Sequence, residues 1–245
     1  MKAIAVRAGL TVLWAVVASG PMSSSAASDA VRVLFIGNSL TTVNDVPGLV
    51  SQLAAASDRT FHYRTVAFDG YSLEDHWNRG DARRAIAEGG WLIVVLQQGP
   101  SALPESRVLL REYARRFDRE ARHVGARSAL YMVWPSSDRR NDFEGVRQSY
   151  ASAARDTGGI FIPVGEAWRE AWRRDGRLSL YGADGFHPTP LGSYLAALVM
   201  YQAFFDRSPI GLPALVAPAD RALLLQESAA NAAARFGSSY DSHRR

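Results

Sequence analysis

Two short stretches of this chain carry residue types that can do chemistry together. Gly37-Asn38-Ser39-Leu40 follows an apolar run and presents a serine at a turn, and Asp184-Gly185-Phe186-His187-Pro188 presents a carboxylate close before an imidazole. A serine hydroxyl attacks a carbonyl only when a base takes its proton, and histidine is the side chain that titrates in the right range. Gly37 permits the tight turn that would lift Ser39 off a strand end. Pro188 keeps His187 out of helical geometry, while Thr189 and Pro190 suit the cap and first residue of a following helix, so the histidine is held in a loop. A turn through Gly185 can return the Asp184 carboxylate to Nδ1 of His187, fixing its tautomer and stabilising the imidazolium. Each group alone has a plainer meaning. A serine after a strand is commonly a turn or cap residue, and Asp-x-x-His is commonly a surface turn. The Gly-x-Ser-x-Gly elbow of the α/β-hydrolases is absent.

Elements able to bring the two stretches together can be read from hydrophobic patterning. Val31 to Ile36, Phe61 to Ala67, Trp91 to Leu96, Ser128 to Trp134 and Gly159 to Val164 read as strands, mostly continuous in hydrophobicity, as strands covered on both faces are. Helices are expected over Pro47 to Ser57, Pro104 to Val124, Asn141 to Asp156, Pro190 to Phe205 and Ala219 to Phe236. Alternating strands and helices predict a three-layer α/β/α domain with a mainly parallel sheet of five strands. In such a sheet ligands bind beyond the carboxyl ends of the strands, and there the polar groups gather: Ser39, then Asp69-Gly70-Tyr71-Ser72, then Gln97-Gln98-Gly99-Pro100-Ser101.

The 245 residues are 47% hydrophobic and 21% charged, as in an ordinary globular protein, and no internal repeat is seen. The formal charge of +4 is slight and its arginines are scattered, which argues against a nucleic-acid partner. With no cysteine, disulfides, thiolate metal sites and a thiol nucleophile are all excluded. Lys2, Arg7, the apolar run Ala8 to Val17 and Ser25-Ala26-Ala27 have the pattern of a secretory signal, with cleavage after Ala27 and one domain over residues 28–245. A secreted or periplasmic location is expected, with no membrane span in the mature chain. An uncleaved anchor is the alternative.

The two blocks, in this order and nearly a domain apart, resemble those of the SGNH hydrolase superfamily, the GDSL-type esterases and lipases, in a branch with Gly-Asn-Ser in the first block. The resemblance implies a flavodoxin-like α/β sandwich, Ser39 as nucleophile, His187 as base and Asp184 as its partner. It also implies an oxyanion hole formed by the N–H groups of Ser39 and Gly70. The family's third block, Gly-x-Asn-Asp, is replaced by glutamines. Gln98 is the expected third oxyanion donor, with Gln97 and Ser101 as alternatives.

The remaining polar residues have plain readings. Asp75-His76 reads as a solvated helix pair, without a partner at metal-ligand spacing. The helix from Pro104 to Val124 alternates Arg with Glu and Asp, as a solvated face does. Tyr71, Trp77 and Trp134 follow strand ends and can line a pocket or simply pack. The reading is an exported serine esterase, needing neither cofactor nor metal, acting on a small-molecule or carbohydrate ester through an acyl-enzyme. An O-acetyltransferase on the same fold and a non-catalytic envelope binding module stay open beside it.

Overall fold

The computed structural model describes residues 1 and 30–240. The expected signal segment, its cleavage after Ala27 and a start at Ser28 lie outside the described residues. Five strands form one parallel sheet: β1 (Val31–Gly37), β2 (Phe61–Ala67), β3 (Ile93–Leu96), β4 (Arg127–Tyr131) and β5 (Ile160–Ile162), in the order β2-β1-β3-β4-β5. This is the flavodoxin-like order, and the chain reverses direction across the sheet between β1 and β3. β3 is buried along its whole length, and so is β1 from Val33, because helices cover both faces there. β2 lies at the sheet edge and can expose His62, Tyr63 and Arg64.

The helices divide into two layers. On one face α2 (Val46–Ala55), α7 (Val164–Arg174), α8 (Pro190–Phe205) and α9 (Ala219–Phe236) pack together. On the other lie α3 (Leu73–Arg79), α4 (Asp81–Ala87), α5 (Pro104–His123) and α6 (Phe143–Thr157). A one-turn helix, α1 (Ser39–Thr42), directly follows β1. α8 is apolar on all sides and almost wholly buried, since it lies between the sheet, α2, α7 and α9. α5 buries one stripe, Leu110, Tyr113, Ala114, Phe117, Asp118 and Ala121. Its arginines form ion pairs within the helix and with Asp156 on α6.

Sequence patterning missed α1, α4 and α7, and for α3 it placed only the Asp75-His76 pair on a helix, without bounds. The fifth strand stops at Ile162, because Pro163 has no N–H for a ladder and begins the turn into α7. The fourth stops at Tyr131. Beyond it Trp134 is fully buried, its ring stacked on Trp168 of α7 at 3.7 Å between centroids.

Where α8 starts, its backbone presses against this aromatic pair. A Cβ on Gly192 would stand 2.6 Å from both the Leu180 carbonyl oxygen and Trp168 Cζ2. Neither can give way: one is backbone and the other is a stacked ring. Gly192→Ala is therefore expected to destabilise the protein by about 1–3 kcal/mol in urea unfolding, the cost of overpacking a filled core. An unchanged unfolding midpoint would show that α8 shifts freely.

Candidate active site

Ser39 is the first residue of α1, set directly beyond β1 by a cap that the sequence supplies. Asn38 is the N-cap, its Oδ1 accepting the Leu40 N–H at 3.1 Å. From the neighbouring strand end the buried Gln97 grips this turn. Gln97 Oε1 accepts the Asn38 N–H and the Thr41 hydroxyl, each at 2.8 Å, while Nε2 donates to Asn38 Oδ1 and to the Gln98 carbonyl. Every donor and acceptor of that amide is used, as a buried polar group requires. Gly37 is needed here for closeness rather than for a left-handed turn, since a Cβ would stand 2.4 Å from Gln97 Oε1 and 2.6 Å from Thr41 Oγ1.

His187 reaches Ser39 from the far end of the chain. Its Nε2 lies 2.9 Å from Ser39 Oγ, and its Nδ1 lies 2.5 Å from Asp184 Oδ2. The other Asp184 oxygen accepts the N–H groups of Phe186 and His187, so the carboxylate is fixed by its own loop. These bonds, the one from His187 foremost, lower the Asp184 pKa to about 2, although the side chain is half exposed. The carboxylate therefore stays charged at neutral pH and holds Nδ1 protonated, which leaves Nε2 as the acceptor facing the serine.

The loop is anchored on several sides. The Gly182 N–H donates to the His187 carbonyl at 2.7 Å, Tyr181 bridges Pro188, and Trp134 Nε1 donates to the Phe186 carbonyl. Asn44 ties the two halves of the site together. It sits in the left-handed region (φ 58°), which asparagine tolerates, and its Nδ2 donates to the Pro188 carbonyl and to Ser193 Oγ, each at 3.0 Å.

A cleft of about 560 Å³ opens beside Ser39, bounded by Tyr71, Pro100, Leu103, Leu109, Arg139 and Phe186. Gly70 lies at its mouth in the left-handed region (φ 72°), exposed and with open space around it. Among the described residues, the N–H groups of Ser39 and Gly70 donate to no protein acceptor.

The third block differs from expectation. Gln98 faces the cleft, but its Nε2 donates to Ser101 Oγ at 2.8 Å and to the Ser106 carbonyl at 3.4 Å, while its Oε1 accepts the Leu73 N–H. Both amide hydrogens are already engaged. The Ser101 hydroxyl donates in turn to the Gly99 carbonyl, and Gln97 is turned into the core. None of the three offers a free donor to the cleft in this arrangement. Gln97 and Gln98 instead pin the turn after β1 and the start of α3.

Of the aromatic candidates, Tyr71 lines the cleft. Trp134 is core, and Trp77 packs edge-on against Phe117 beneath Arg83 and Arg116. The solvated reading of Asp75-His76 is half wrong. Asp75 is exposed and closes a capping box with Ser72, whereas His76 is completely buried, with Nε2 2.7 Å from the Gly37 carbonyl oxygen. The Ser72-x-x-Asp75 spacing is the signal that would have fixed where α3 starts, and Leu73 and His76 then fall on its inner face. No group of three or more His, Asp or Glu side chains is placed to hold a metal ion among the described residues, and no helix there is long and apolar enough to cross a membrane.

No protein-family model matches the chain, and no curated protein does either. Solved structures do. A candidate SGNH hydrolase from Slackia heliotrinireducens is similar at 29% identity and a TM-score of 0.61, over 71% of this chain and 98% of that one. A DUF4886 family protein from Bacteroides uniformis shares the fold at 19% identity and a TM-score of 0.71, over 85% and 96% of the two chains. An acetyl xylan esterase from Geobacillus stearothermophilus shares it at 17% identity and 0.55, over 70% and 93%. With the flavodoxin-like sheet and these neighbours, the chain has the fold of the SGNH hydrolases, the GDSL-type esterases and lipases, and is similar to them.

Proposed function

We propose that the protein is a serine esterase that hydrolyses a carboxylic ester through an acyl-enzyme. The observation that carries this is the continuous chain Asp184–His187–Ser39, joined at 2.5 and 2.9 Å, the second contact between residues 148 apart in sequence. Ser39 Oγ attacks the ester carbonyl as His187 Nε2 takes its proton, and the alkoxy group leaves as the alcohol when His187 returns that proton. Water then attacks the acyl-serine, again through His187, to release the acid and restore Ser39. The N–H groups of Ser39 and Gly70 hold the negative oxygen of each tetrahedral intermediate. Asp184 stabilises the imidazolium without accepting its proton. The cleft beside Ser39 suits a small-molecule or carbohydrate ester. The basic, apolar and small-residue pattern of the first 27 residues supports export to the periplasm or the medium.

A chromogenic short-chain ester assay tests the reading. Ser39→Ala and His187→Ala should each lower turnover by about a thousandfold or more while leaving the melting temperature nearly unchanged. Asp184→Asn should lower kcat strongly with little change in KM, because the substituted side chain favours the wrong imidazole tautomer. Full activity in either alanine variant would refute the mechanism. Gln98→Ala is expected to stay within about tenfold of wild-type kcat, since losing a true oxyanion donor costs about a hundredfold to a thousandfold. A loss in that larger range would return Gln98 to the oxyanion hole.

A further inference from the structure

One buried titratable side chain close to the site takes no part in the mechanism above. His76 is fully buried on the inner face of α3, behind the segment that carries Gly70. The Gly37 carbonyl can only accept, so at 2.7 Å it fixes the proton of His76 on Nε2. Burial lowers the pKa of the ring, which keeps it neutral. Nδ1 is buried with no hydrogen-bond partner among the described residues. The ring packs against Phe68 and Tyr71, at 5.7 and 5.3 Å between centroids, and these residues flank Gly70. The same Gly37 carbonyl accepts the Phe68 N–H at 3.3 Å, and Tyr71 accepts Asn38 Nδ2 through its own carbonyl.

A buried imidazole with one nitrogen unsatisfied is a poor choice for packing alone, because phenylalanine or leucine would fill the space without that desolvation cost. What the imidazole adds is a donor on a rigid ring. We propose that His76 is a positioning residue for the oxyanion hole. Its Nε2–H holds the Gly37 carbonyl, two residues before Ser39, while its ring supports the Phe68–Tyr71 turn, which sets the separation of the Ser39 and Gly70 N–H groups. This rests on the esterase reading given above. Neither N–H touches His76, so its effect runs through the two backbone segments it joins. An error of about 1 Å in such placement can cost a hundredfold in rate.

The test compares His76→Phe, which keeps a ring against Phe68 and Tyr71 but has no donor, with His76→Gln, whose amide reaches about as far as Nε2. Wild type and Ser39→Ala are run beside them, with kcat, KM and melting temperature measured and active sites counted by a serine-directed organophosphate. His76→Phe should lose about tenfold or more in kcat per titrated site with KM moved less than about threefold, and His76→Gln should recover most of that loss. Should His76→Phe fail to fold, His76→Asn takes its place, because its amide is too short to reach the Gly37 carbonyl. If the donor-less variant keeps full kcat per site and loses only thermal stability, His76 is packing and the proposal fails. Equal loss in His76→Gln and the donor-less variant would also overturn it. Activity retained in Ser39→Ala would instead bring down the esterase mechanism, whatever the His76 variants do.

Discussion

The site depends on one buried amide. Gln97 stands at the end of β3, where the chain reverses direction across the sheet, and its side chain holds the Asn38 N–H, the Asn38 side chain and the Thr41 hydroxyl of the adjoining turn. Leaving one of those buried groups unpaired would cost about 1–3 kcal/mol. A turn held that firmly can present a side chain with little freedom, and Ser39 lies at its centre. The turn is joined to the second segment by the Asn38 bond to the Tyr71 carbonyl and to the fourth by the Tyr131 hydroxyl, which donates to the Leu40 carbonyl. Ser39 is thus fixed by the sheet, in agreement with the general placement of sites at the carboxyl ends of parallel strands.

His187 belongs to no strand. It is carried on a loop, and loops need outside support to be precise. That support comes from the short bridge at Pro188, from Trp134 through the Phe186 carbonyl and from Asn44 through the Pro188 carbonyl. Asn44 lies just past the serine's own helix, so Ser39 and His187 share an anchor. The stacked Trp134–Trp168 pair and the tight seat of Gly192 set where α8 begins, and hence where the loop ends. Core packing and site geometry are in this sense one structure.

Much of this was legible in sequence because its signals are local. Apolar runs, continuous in all but the edge strand β2, marked the five strands, and Pro190 after Thr189 marked the start of α8. The Asp184-x-x-His187 spacing announced a turn that closes on itself. The glutamines were not legible in the same way. Gln97 and Gln98 alternate along an extended segment, and only the tertiary partners decide that the first holds Asn38 while the second holds Leu73 and Ser101. His76 was hidden for a related reason. Its neighbours Glu74, Asp75 and Arg79 are polar, and a single buried histidine in a seven-residue helix gives too little periodicity to read. Gly37 was assigned to the right place for the wrong cause, since close approach of a side chain leaves no mark in the sequence.

Covalent labelling tests the central claim, that Ser39 is an activated nucleophile, most directly. Incubating the protein with a fluorophosphonate and digesting it with trypsin should place a single adduct on the peptide Val33 to Arg59, with fragment ions locating it at Ser39 and loss of esterase activity in proportion. A hydrolytically active protein that gains the adduct at another residue, or is inhibited without any adduct on that peptide, would contradict the account.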